Sequence, residues 1–104
     1  MDKTNIENVP LVIENEYLDF SEFIKQEKYQ ICHKMLELFE EMVIDGVEKK
    51  LLVVATVHDI TFDTEYNINS ENTYLLTVIN DYFEGIEEYE MCSRIQKLKP
   101  KLII

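Results

Sequence analysis

The amino-acid sequence predicts an α+β fold: a long N-terminal helix, an antiparallel β-hairpin, then two C-terminal helices. The order is α-β-β-α-α, with an extra edge strand available from a terminus. Three observations predict it. Apolar residues recur at helical spacing between positions 24 and 43, with no Gly or Pro among them. The period then changes to a β-branched run at 51–57, followed by strict alternation to position 68. Two further helical stripes flank Gly85. At 104 residues, 46% of them hydrophobic, the chain suits one domain whose core needs no disulfide or metal. Residues 1–17 read as an N-terminal arm or edge strand, and residues 18–104 as a single α+β domain.

The lead-in carries a short apolar patch, Val9-Pro10-Leu11-Val12-Ile13. Pro is tolerated at the beginning of a strand, and a partner-gripping arm fits the same residues. Asp19 can cap the first helix, with Glu22 three residues on to answer it as in a capping box. Ile24, Ile31, Cys32, Met35, Leu38, Phe39, Met42 and Val43 form its apolar stripe, and Gly46 is placed to end it. The helix is about 25 residues long on this spacing. In the next segment Phe62, Thr64, Tyr66 and Ile68 point one way, and Thr61, Asp63, Glu65 and Asn67 the other. A turn at 58–60 sets Phe62, Thr64 and Tyr66 toward Thr56, Val54 and Leu52. Ser70 can cap the second helix, whose stripe is Tyr74, Leu75, Val78, Ile79, Tyr82 and Phe83. Gly85 ends or kinks it. The third helix is expected over 87–98, with Pro100 as its stop and Leu102-Ile103-Ile104 as an apolar terminus.

Charge is unevenly distributed. All 21 acidic residues lie before position 94, whereas Arg94, Lys97, Lys99 and Lys101 lie after position 93. Six basic residues against 21 acidic ones leave −15 on residues 1–93, and residues 94–104 carry +4. Such a field repels nucleic acid and anionic membrane and favours a basic partner. Glu87, Glu88 and Glu90 before Arg94, Lys97 and Lys99 also match the dipole of the third helix.

No catalytic motif stands out. Cys32 and Cys92 have no CxxC spacing and read as reduced thiols of a cytoplasmic protein. The start, Met1-Asp2-Lys3-Thr4-Asn5, lacks the basic and apolar regions of a signal peptide, and no apolar run is long enough to span a bilayer. Cys32 and His33 are helix neighbours about 100° apart, so they do not form a nucleophile–base pair. Two glycines cannot build a phosphate-binding loop. His58, Asp59, Asp63 and Glu65 gather around the hairpin, where a solvated strand face explains them without a metal. Expected catalytic, metal and cofactor residues are therefore none.

The acidic runs are the candidate partner-binding surface: Glu37, Glu40 and Glu41 on the first helix, and Glu84, Glu87, Glu88, Tyr89 and Glu90 around the second and third. Tyr adds large contact area at low entropy cost. Tyr89-Glu90-Met91-Cys92-Ser93-Arg94-Ile95 resembles the second half of the UVR motif, the helical hairpin of nucleotide-excision repair proteins. The first half departs from that motif, with bulky Tyr82 and Phe83 where it has small residues. The resemblance implies a helical-hairpin protein-docking element and no more.

The functional expectation is a small acidic, non-enzymatic protein-binding module: a regulator, adaptor or inhibitor whose partner has a basic surface. It binds neither nucleic acid nor membrane directly. The composition, rich in Ile, Asn, Glu and Lys, is that of AT-rich genomes and points to a phage accessory protein. Two alternatives stay open: a nucleic-acid mimic that inhibits a DNA- or RNA-processing enzyme, and a structural subunit of a larger assembly. A homodimer would suit the apolar terminus and the small sheet.

Overall fold

The structure is a computed structural model that describes residues 6–102. Residues 1–5 and 103–104, which carry the leader reading and the end of the apolar terminus, lie outside the described residues. The elements run β1 (Ile6–Tyr17), α1 (Phe20–Asp45), β2 (Glu48–Val57), β3 (Ile60–Ile68), α2 (Tyr74–Gly85) and α3 (Tyr89–Leu102). The strands form one mixed sheet in the order β1-β2-β3, with β1 parallel and β3 antiparallel to the central β2.

The helix-first order α-β-β-α-α is thereby corrected, because a strand precedes the long helix. β1 is a 12-residue element. Val9 and Leu11 stand beside Leu51 and Val53 of β2 on one face, and Ile13 is buried. Pro10 has no N–H to give, which is tolerated because β1 is an edge strand. The pairing is irregular between Val12 and Glu16, where the strand bulges.

α1 follows its sequence signals closely. It has 26 residues, and the Asp19 carboxylate accepts the Glu22 N–H at 2.8 Å. Glu22 does not reciprocate; its carboxylate takes Gln26 Nε2 at 3.0 Å, so only half of the capping box forms. Gly46 ends the helix at φ 72°, in the left-handed region that Gly occupies without penalty, and its N–H donates to the Met42 carbonyl at 2.8 Å.

The β2–β3 connection has two residues, His58 and Asp59, at φ 55° and 64°. Positive φ at both central positions is the hairpin turn whose twist matches the strands, and His and Asp adopt it more readily than most residues. The expected turn at 58–60 is one residue too long. Phe62, Thr64 and Tyr66 consequently pair with Ala55, Val53 and Leu51, not with Thr56, Val54 and Leu52. That one-place shift puts the Phe62 and Tyr66 rings on the buried face of the sheet.

α2 begins at Tyr74 after Thr73, later than Ser70 would have it. Asn69 explains the delay: its side chain accepts the Glu71 N–H at 3.0 Å and holds a local turn. α2 ends with the Glu88 N–H on the Phe83 carbonyl (2.8 Å) and the Glu87 N–H on the Glu84 carbonyl (3.0 Å). This is the Schellman pattern, and its left-handed position falls on Glu87 at φ 63°, two residues beyond Gly85. α3 passes through Pro100 to Leu102, so Pro100 does not stop it. Buried Leu98 and Leu102 secure that last turn, with Leu98 facing Val43 and Ile44 of α1.

The molecule is flat, 43 × 39 × 17 Å, room for a sheet and one layer of helices. Leu51, Val53, Ala55 and Ile68 of the sheet share one core with Leu36, Leu38 and Phe39 of α1, with Leu76, Ile79 and Phe83 of α2, and with Ile95 of α3. Burying such side chains contributes about 1.5–3 kcal/mol each. The other sheet face is left open: Leu52 and Val54 are half-buried, and Val12 is exposed. Among the described residues no helix is long and apolar enough to cross a membrane.

Candidate functional site

The residues expected to meet a partner separate into two groups. Glu37, Glu40 and Glu41 lie in the last turns of α1. Glu40 is engaged: its two carboxylate oxygens take Arg94 Nη2 at 2.6 Å and Nε at 2.9 Å, a bidentate pair between α1 and α3. Hydrogen bonding to Glu40, helped by the charges of Glu37 and Glu90, raises the Arg94 pKa. Glu37 lies 3.5 Å from His33 and 3.7 Å from Lys34 on its own helix. Glu41 alone of the three is exposed and unpaired among the described residues.

Glu84, Glu87, Glu88, Tyr89 and Glu90 are brought together at the α2–α3 corner. Glu84, Glu87 and Glu90 are exposed, and among the described residues none of the four carboxylates there has a cation at ion-pair distance. Glu88 is half-buried and accepts a long hydrogen bond, 3.4 Å, from the Tyr29 hydroxyl. Burial, with the nearby Glu88 charge second, raises the Tyr29 pKa. Tyr89 is 61% exposed and Ile86 is 42% exposed, so the corner presents apolar surface alongside exposed carboxylates. Its backbone is fixed by the Schellman bonds, with a non-glycine residue at positive φ.

Two polar arrangements escaped sequence reasoning. Lys49 has a side chain only 1% exposed, and its ammonium donates to Asp45 at 2.6 Å and to Glu7 at 2.7 Å. It ties the end of α1 and the start of β1 to β2. Those hydrogen bonds raise the Lys49 pKa, Asp45 first and Glu7 next, and the same contact holds Asp45 below its ordinary value. The buried Glu27 carboxylate accepts a hydrogen bond from the Tyr17 hydroxyl, which raises the Tyr17 pKa. The available signals were weak: a Lys at a strand position that alternates into the core, and a Glu on the apolar side of α1.

The remaining candidates are dispersed. Cys32 is buried, and burial pushes its thiol up to about 11, so at neutral pH it is protonated and a poor nucleophile. His33 turns away from it, toward Glu37, and its ring stacks at 6.0 Å on Tyr29. His58 Nδ1 sits 3.2 Å from the Leu18 carbonyl, which anchors the hairpin turn to the β1–α1 connection. Asp63 and Glu65 stand on the open sheet face. Among the described residues no group of three or more His, Cys, Asp or Glu side chains is arranged to hold a metal ion. A crevice of about 180 Å³ between α1, β3 and α2 is lined mainly by apolar side chains such as Ile31, Met35, Leu75 and Ile79, with Lys28, Cys32 and Tyr66 as its polar members.

No protein-family model, no curated protein and no solved structure matches this chain, so the likeness of residues 89–95 to the UVR motif gains no support.

Proposed function

We propose that this protein is a small, non-enzymatic protein-binding module, acting as a regulator, adaptor or inhibitor, and that its contact surface is the α2–α3 corner. One observation carries the reading: Glu84, Glu87 and Glu90 are exposed on either side of exposed Ile86 and Tyr89 in the chain, and among the described residues no cation lies at ion-pair distance to neutralise them. Unpaired like charges held close together raise the energy of the isolated protein, and a cationic partner surface lowers it. Tyr89 and Ile86 give such a contact a desolvated centre within a charged rim. The Schellman bonds at the corner keep its backbone preformed, which lowers the entropy cost of binding. Glu37 and Glu40 leave the proposed surface, since His33, Lys34 and Arg94 already hold them. The free thiols Cys32 and Cys92 suit a cytoplasmic location.

The test is capture from a cell extract on immobilised protein, comparing wild type with the Glu84→Lys/Glu87→Lys variant. The reading expects wild type to retain a basic protein at low salt and the variant to release it. Competition by free DNA for that partner would convert the reading to nucleic-acid mimicry. Equal capture by both proteins would refute the corner as the contact.

A further inference from the structure

β3 is an edge strand of the sheet. In a two-residue hairpin the pair flanking the turn, here Val57 and Ile60, exchanges both backbone bonds, and the pattern alternates from there. Thr61, Asp63, Glu65 and Asn67 therefore turn their N–H and C=O groups away from β2. The Asn67 carbonyl is met within the chain, by Asn72 Nδ2 at 2.7 Å, which agrees with that outward direction. Among the described residues no other element makes a backbone hydrogen bond to Thr61, Asp63 or Glu65 on that outer side. The strand pairs without a register shift over its nine residues and contains neither Pro nor Gly. An edge of this kind is a template for a further strand.

Charge decides what can occupy it. Two copies of β3 paired antiparallel about a twofold axis set Asp63 against Asp63, Asp63 against Glu65, or Glu65 against Glu65, according to whether the axis passes residue 63, 64 or 65. Like charges directly opposite are destabilising, so self-pairing is disfavoured in every centred register. A strand with cations at alternate positions meets both carboxylates favourably. β2 already displays that contact from the other side: Lys50, diagonal to Glu65, reaches its carboxylate at 3.7 Å.

We propose that the free edge of β3 receives an extended basic segment of a partner protein as a fourth strand, with Lys or Arg at alternate positions facing Asp63 and Glu65. The inference rests on the reading of a basic protein partner, and adds a second surface and a backbone-mediated mode of recognition. The probe is a short, end-blocked synthetic peptide alternating lysine and valine, with two controls: the same peptide N-methylated along one edge, and one with glutamate for lysine. Binding is read by amide NMR shifts and by hydrogen exchange at Asp63 and Glu65. The lysine peptide should bind and slow exchange at those two amides; the N-methylated peptide should not bind. Asp63→Lys/Glu65→Lys should weaken the lysine peptide by about tenfold and admit the glutamate peptide; Asp63→Asn/Glu65→Gln should weaken it less. No binding, or equal binding by the N-methylated peptide, overturns the proposal and leaves the carboxylates as guards against self-pairing. Glu84→Lys/Glu87→Lys should not affect the peptide, so failure of the edge and failure of the corner are read separately.

Discussion

The C-terminal end of α1 and the α2–α3 corner are both acidic, and they use their carboxylates in opposite ways. At the end of α1, Asp45 shares Lys49 with Glu7, and Glu40 grips Arg94. At the corner, Glu84, Glu87 and Glu90 are exposed with no cation among the described residues at ion-pair distance. The first group joins elements that are distant in the chain. The second joins no other element among the described residues, which is why we assign it to an external partner. A count of acidic residues does not separate the two; only the position of the cations does.

The comparison breaks first at Lys49. Lys49→Ala removes a buried stem and leaves Asp45 and Glu7 facing each other, so it should lower stability by about 2–4 kcal/mol, measured as a fall in the urea midpoint. Lys49→Met keeps most of the stem and should cost clearly less. If both variants match wild type, Lys49 is not a structural tie.

The same cluster fixes a pH dependence. Asp45 titrates below its ordinary 3.8, so its contribution is present above that value and is lost as pH falls through the lower folded pKa. Lys49 titrates above its ordinary 10.5, so its contribution is present below that value and is lost as pH rises past the higher folded pKa. Urea midpoints should therefore fall on both acid and alkaline sides, and Lys49→Met should flatten both limbs. Unchanged limbs in that variant would place the titration elsewhere.

Arg94 and Glu40 should show a smaller effect. Each is about a third exposed, 35% and 31%, so solvent screens the pair. A double-mutant cycle with Arg94→Ala and Glu40→Ala should give a coupling of about 1 kcal/mol, falling in high salt. Zero coupling at low salt would free Glu40 to belong to the binding surface after all.

The smallest effects lie at the corner and have the opposite sign. Glu87 occupies a left-handed position at φ 63° that favours glycine. A Cβ added at Gly85 meets nothing within 4 Å. Gly85→Ala should stabilise by about 0.5–1 kcal/mol, and Glu87→Gly by no more than about 1 kcal/mol. Thermal melts of the two variants check this. Destabilisation by either would mean that the corner backbone is set by something other than the Schellman bonds.

How much of this was legible in the sequence depended on the distance over which a signal acts. Asp19 and Gly46 mark α1 because a cap and its helix are adjacent. β2 and β3 are marked by period and composition. The strand character of Ile6–Tyr17 is not decided by its own residues, because β1 pairs with a parallel neighbour reached only after a 26-residue helix and residues 9–13 form an apolar run in which outward Val12 hides the alternation. The hairpin register slipped by one because nothing in His58-Asp59-Ile60 announces two consecutive positive φ angles without glycine. Pro100 reads as a stop locally, yet Leu98 and Leu102 on one side of α3 carry the helix past it. The corner was visible as an acidic run, Glu84 to Glu90. That Glu40 was already taken was not visible, because Arg94 lies 54 residues away.

The central claim is that corner carboxylates contribute to binding and not to folding. The most direct measurement is the dissociation constant of the captured partner against ionic strength, for wild type and for Glu84→Gln/Glu87→Gln, alongside their urea midpoints. The account predicts matching midpoints, a steep weakening with salt for wild type, and a weaker, flatter dependence for the variant. Superimposable binding curves, or a variant that loses stability along with affinity, would contradict it.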